Sequence, residues 1–296
     1  MAEAAIPVDL FNPGQVFACL GFLEAADILL GDAEGAFDWT DRANPKFKLW
    51  AEGEENPFGV VLEFLNNAEV VVLSPHGIDG PWPDNHRACL AFPCAEREIK
   101  TSNGKGFSNA ALPIELVWDG KSMPIDHWLE RDYLQTCKLF AGKQIAAQLT
   151  RNMLVGDKTK NGALGLHDVF SEMQHDQFRD PFSVTGSVGG RFGFDARGGW
   201  DAMRIGSSLD TQGTLVKVSP HVEVLAAAGL ENTRPEFQST YQIRYAVWNI
   251  RLPISLCRTA LFSPDAFLPK LEFRFFRTHL GEDKQYKKIF FAEEEF

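Results

Sequence analysis

The sequence predicts an α+β protein. An N-terminal ferredoxin-like, RNA-recognition-type β-α-β-β-α-β unit is expected over residues 1–75, followed by a mixed helical and antiparallel β region over 76–296. Three observations predict it. Two helix starts share an Asn-Pro opening, in "NPGQVFACLGFLEAADILLG" and "NPFGVVLEFLNNA", each flanked by short apolar runs of strand character. The last third alternates aromatic or aliphatic with charged residues, as half-buried strands do. Between them, prolines and a glycine-rich loop at 183–200 interrupt any long regular pattern.

Taken in order, "IPVDLF" (Ile6–Phe11) reads as a strand. Asn12 then caps a helix with Pro13 at its first position and Gly31 just past its end. Apolar residues cover more than one face of that helix, so it should be well buried. "AFDW" (Ala36–Trp39) and "KFKLW" (Lys46–Trp50) are two strands joined by a polar turn. Asn56 and Pro57 repeat the start signal, and Val60, Val61, Phe64 and Leu65 form the apolar stripe of the second helix. "EVVVL" (Glu69–Leu73) closes the split ferredoxin-like order. Prolines at 75, 81, 83, 93, 113 and 124 then break the pattern, around a strand at "LPIELVW" (Leu112–Trp118). Helical stretches follow at His127–Leu154 and Leu164–Phe178. In "SPHVEVLAAAGL", Ser219 caps, Pro220 opens and Gly229 stops a further helix. Strands are expected in "YQIRYAVWNIRLPI", "KLEFRFFRTH" and "YKKIFFAEEEF".

Composition bounds the function. With 45% hydrophobic and 23% charged residues the 296-residue chain has the make-up of a soluble globular protein. No run approaches the roughly eighteen apolar residues of a membrane span. The opening "MAEAAIPVDLF" lacks the features of a secretion signal, so a cytoplasmic location with no membrane partner is expected. Cys19, Cys89, Cys94, Cys137 and Cys257 are scattered without zinc-ligand spacing and read as idle thiols. The net charge of -11 argues against a free-standing nucleic-acid binder. All of that excess lies in residues 1–100, which hold 17 acidic against 6 basic residues; the remainder is balanced at 23 of each.

The loop "SVTGSVGGRFGFDARGGW" (Ser183–Trp200) carries six glycines. It lacks the Lys-Ser/Thr ending of a phosphate-binding P-loop, and Gly186, Gly189, Gly190 and Gly193 miss dinucleotide spacing. Two readings remain. In one, Arg191, Arg197 and Arg204 bind a sugar-phosphate chain beside the pliable backbone at Gly189 and Gly190, with Phe192 or Phe194 stacking on bases. In the other, the loop is a wide turn whose aromatics are core. Lys105, in "SNGKGFSN", is a second candidate for groove contact. His167–Asp168 and His175–Asp176 lie at helical spacing and suggest paired metal ligands, but no distant partner motif completes such a site. His279 with Tyr286 and Lys287 is the best acid-base set for a metal-independent ribonuclease. No GxSxG nucleophile elbow occurs. No catalytic residue, metal or cofactor is expected.

Five segments carry a resemblance: "IPVDLFNPGQVFACLGFLEAADILLG", "FAGKQIAAQLTRNML", "GSVGGRFGFDARGGWDA", "VEVLAAAGLENTRP" and "YAVWNIRLP". Together they resemble the small Csx/Csb-type proteins encoded with type I-U (I-G) CRISPR effector genes. The resemblance implies a non-catalytic subunit of the crRNA-guided surveillance complex, Cascade, in antiviral defence. It further implies contact with crRNA and target DNA at the protospacer-adjacent motif, other effector subunits as partners, and recruitment of a helicase–nuclease. It transfers no catalytic residues. A crRNA-processing ribonuclease and a purely structural bridging subunit stand as alternatives.

Overall fold

The computed structural model describes residues 1–94, 99–100, 106, 108, 110, 112–129, 137–140, 144–157, 163, 165–168, 179–188, 190–199, 216–262, 271–281 and 288–295. It is a mixed α+β protein with several sheets. The chain opens with β1 (Ala2–Pro7), α1 (Pro13–Leu29), β2 (Glu34–Asp38), β3 (Lys46–Ala51), α2 (Pro57–Asn67) and β4 (Glu69–Pro75). β5 (His86–Cys89), β6 (Ile114–Trp118), β7 (Lys121–Ile125) and α3 (Ala146–Val155) follow. Next come β8 (Gly186–Ser187), β9 (Lys217–Val218), α4 (Pro220–Gly229), β10 (Glu236–Ser239) and β11 (Gln242–Trp248). The last described elements are β12 (Leu252–Pro253), α5 (Ile254–Phe262), β13 (Phe273–His279) and β14 (Glu293–Glu295).

The six-element order at the N-terminus is as expected, yet the ferredoxin-like sheet is not completed. β3 pairs antiparallel with both β1 and β2, which is the split β-α-β half of that arrangement. β4, expected beside β1, instead lies between β5 and β6 in a separate sheet ordered β5-β4-β6-β7. β12, from far along the chain, takes the free edge of β2. A third sheet runs β10-β11-β13-β14. Residue 75 therefore does not divide two cores: one hydrophobic cluster extends from Ile6 to Ala292. Trp248 of β11 packs edge-on against Phe37 of β2 with centroids 5.2 Å apart, and its indole N–H donates to Gly35 O at 2.9 Å.

Local signals place the helices. Asn12 Oδ1 accepts from Gly14 N, Asn56 Oδ1 from Phe58 N, and Ser219 Oγ from Val222 N, each with proline at the first helical position. The first strand ends earlier than expected, at Pro7. Beyond it the Asp9 carboxylate accepts from Phe11 N and Asn12 N donates to Asp9 O, closing a turn. Of the expected helix at 127–154, a 3-10 turn (His127–Leu129) and α3 are described. That expected at 164–178 falls mostly outside the described residues.

α1 is buried on nearly all sides, and its closest neighbour is α4. A Cβ on Gly21 would lie 1.9 Å from Leu225 O, and one on Gly229 would lie 2.2 Å from Phe17 O. Gly229 is thus a contact residue rather than the helix stop; Leu230 caps the helix. Gly14, at the start of α1, meets Val222 at the start of α4, so the two helices run parallel with their N-termini together. Gly21→Ala should force the backbones apart and cost about 3 kcal/mol, an overpacking penalty read as a lowered urea midpoint.

At the far end of α4, Asp126 N donates to Glu231 Oε2 at 2.6 Å, and the two carboxyl groups meet. Burial, then the hydrogen bond with the Asp126 side chain, pushes Glu231 up to about 9. The folded chain keeps a proton that the unfolded chain releases from about pH 4.5, so this pair lowers stability as pH rises from there towards about 9. Glu231→Gln should flatten that slope. Melting temperature against pH for both proteins reads it: the variant gains on the parent between pH 5 and 9.

Candidate nucleic-acid interface

The glycine-rich loop is held at the paired helix starts by a buried carboxylate. Asp195 is 2% exposed and collects five donor groups from three residues. Asn12 Nδ2 donates to Oδ1 at 3.0 Å, and Ser219 N donates to Oδ2 at 2.8 Å. Arg197 donates from its backbone N at 3.2 Å and from its guanidinium, Nε at 2.9 Å to Oδ1 and the terminal nitrogen at 2.8 Å to Oδ2. Asn12 is the α1 cap and Ser219 the α4 cap, so both positive helix ends lie near this anion. Asn12 also accepts from Ala196 N at 3.1 Å. Every hydrogen-bonding side of the carboxylate is used, as a buried charge requires.

Glu223, in the first turn of α4, fixes the preceding loop backbone. Its carboxylate accepts from Gly193 N at 2.7 Å and Asp195 N at 3.0 Å. Burial pushes its carboxyl up, while the two backbone donors and the nearby Arg191 pull the other way. Gly193 sits at φ 100°, a conformation that a side chain would strain.

This geometry decides between the two readings for part of the loop. Phe192 and Phe194 are core residues, 1% and 0% exposed. Phe192 stacks on Trp128 with centroids 5.9 Å apart and meets Phe140 edge-on at 5.5 Å. Stacking of Phe192 on a base is therefore corrected: apolar burial claims both rings. Arg191 donates to Gly198 O at 2.9 Å and braces the loop from within. Gly190 packs towards Leu149 of α3. Gly189, Arg204 and Lys105 lie outside the described residues, as do His175, Asp176, Tyr286 and Lys287. His167 is half-buried and its pKa is lowered by burial; among the described residues no group of three or more metal-ligating side chains comes together. His279 is exposed on β13. No disulfide joins any of the five cysteines.

Of Arg191 and Arg197, the two expected arginines that are described, Arg197 lines an opening. Its side chain remains 27% exposed and lines a groove of about 500 Å³ with Asp9, Phe11, Arg42, Asn44 and Asp180. Arg42, on the turn between β2 and β3, is exposed and makes no hydrogen bond or ion pair to another described residue. Beyond that turn a second groove of about 410 Å³ holds Trp39, Lys48, Trp50 and Arg251. There Lys48 is paired with Asp38 at 2.8 Å, and Arg251 lies over the Trp50 ring while pairing with Glu34. Sequence reasoning missed Arg42, which sits in no motif, and the partnership of Asn12, Asp195, Ser219 and Glu223, which spans over 200 positions. The one local trace of it is the Asp-Ala-Arg spacing within the loop.

The chain matches no family model, no curated protein and no solved structure. No helix of the described residues is long and apolar enough to cross a membrane.

Arg197→Gln removes the guanidinium that neutralises a buried acid. It should lower stability by about 3 kcal/mol in urea unfolding. Retained stability would show that the carboxylate is satisfied without it.

Proposed function

We propose that this chain is a non-catalytic, nucleic-acid-contacting subunit of a crRNA-guided type I CRISPR surveillance complex, with a strand's phosphates lying along the groove lined by Arg42 and Arg197. The observation that carries the reading is the state of those two cations. Arg197 is pre-oriented by the buried Asp195 yet partly open to the groove, and Arg42, which lines the same groove, makes no hydrogen bond or ion pair to a described residue, although its charge reaches Glu294. A guanidinium fixed before binding loses little freedom when it meets a phosphate. The neighbouring groove adds Trp39 and Trp50 beside cations, the combination that suits a single strand. The split β-α-β half formed by β1, α1, β2 and β3 is the part of the ferredoxin-like arrangement that agrees with the resemblance. In this reading the protein supplies backbone contacts to DNA at the protospacer-adjacent motif or to crRNA, while base pairing reads sequence. The other subunits and the helicase–nuclease are its partners.

Arg197 cannot test this alone, because its removal disturbs the fold. Arg42 can. Arg42→Glu should leave melting temperature unchanged and weaken target binding by the assembled complex, with the salt slope reduced by about 0.7–0.9 for the lost phosphate. A gel-shift titration at two salt concentrations reads it. Unchanged affinity and slope would remove the groove from the interface.

A further inference from the structure

The third sheet carries a second anion cradle, occupied by the protein's own carboxylate. On one face of β11 and β13, Arg244 and Arg277 stand directly opposite each other. Both guanidiniums converge on Glu295 of the edge strand β14: Arg244 Nε donates to Oε2 at 2.7 Å and Arg277 donates to Oε1. The Arg244 guanidinium lies over the Phe275 ring, 4.0 Å from its centroid, and also contacts Glu236 at 3.2 Å. Phe275 is the cross-strand partner of Glu295, so ring, carboxylate and both arginines share one face. Burial raises the Glu295 carboxyl, but hydrogen bonds from Arg244 and Arg277 prevail and hold it below the usual range.

Two arginines clamping one planar anion over an aromatic ring form a cradle that also fits a phosphodiester. The cluster is open to water: Arg244, Arg277 and Glu295 side chains are 23%, 46% and 22% exposed. Ion pairs at such exposure are weak and exchange readily. The segment before β14 is anchored, with Ala292 N donating to Phe11 O at 2.7 Å, so a swing of the Glu295 side chain opens the cradle without moving the core.

We propose that Glu295 is an intramolecular occupant of a phosphodiester site formed by Arg244, Arg277 and Phe275, and that a nucleic-acid strand displaces it. This rests on the nucleic-acid reading above but concerns a different surface. Glu293 supplies a stringent control: it lies opposite Arg277 on the same face, yet it is exposed and makes no ion pair to a described residue.

The test is fluorescence anisotropy of a labelled single-stranded oligonucleotide titrated with the full chain. Glu295→Gln should bind about tenfold more tightly than the parent. Its salt slope should steepen by up to about 1.4, from two phosphate contacts on a single strand. Glu293→Gln should bind as the parent does, and adding Arg244→Gln and Arg277→Gln to Glu295→Gln should abolish the gain. Equal gains from Glu293→Gln and Glu295→Gln, no gain from Glu295→Gln, or a gain that survives loss of both arginines would overturn the cradle. Arg42→Glu in the same assay separates the two sites. If it weakens parent binding while Glu295→Gln changes nothing, only the cradle falls. If an arginine-dependent gain appears while Arg42→Glu is silent, only the groove falls.

Discussion

The Asp195 carboxylate is the constraint on which the architecture depends. Removed from water, it requires donors on every side, and these come from Asn12, Ser219 and Arg197. Two are helix caps, so the carboxylate sits where α1 and α4 both present positive ends, each roughly half an elementary charge. This favours the parallel alignment of the two helices. An antiparallel α4 would bring its negative end to a buried anion. The alignment in turn demands small residues along the contact, which Gly14, Gly21 and Gly229 supply. The loop, the caps and the helix pair are one cooperative unit.

What was legible in the sequence was local. The Asn-Pro and Ser-Pro starts name their own hydrogen bonds, because a cap and its recipient lie two or three residues apart. The α+β class followed from short apolar runs between capped helices, and β11 and β13 from alternation, whereas β5, β7, β8, β9 and β10 were not expected. The sheet partner of β4 did not, since nothing within Glu69–Pro75 distinguishes pairing with β1 from pairing with β6; the competing edges lie elsewhere in the chain. Gly229 looked like a stop because glycine ends many helices, whereas its use here is set by Phe17, more than 200 positions away. Phe192 shows the same limit. An aromatic beside arginine in a glycine-rich loop reads equally as platform or core, and Trp128 and Phe140 decide it.

Charge along the chain is likewise settled over long range. Part of the acidic excess of residues 1–100 meets arginines from the other end of the chain: Glu24 holds Arg258 through two hydrogen bonds of 2.8 and 2.7 Å, and Glu34 pairs with Arg251. Glu24 also accepts from Asn232 at 3.0 Å, so one buried acid ties α1 to α5 and to the segment after α4. Segregation along the sequence becomes neutralisation in space.

On the proposed nucleic-acid reading, that neutralisation shapes how the protein would meet a polyanion. Arg197, Arg244, Arg251, Arg258, Arg274 and Arg277 already hold carboxylates. Displacing a surface glutamate costs little, because water screens the pair it leaves. Displacing Asp195 would cost a buried charge its partner. The two classes of arginine therefore have different uses: Arg197 is a fixed wall that offers only its outer edge, and the Arg244–Arg277 pair is exchangeable. Selectivity follows, since a ligand must outcompete a carboxylate that is tethered and always present. A chain of phosphates bridging several arginines meets that condition through linked contacts, and a single small anion does not.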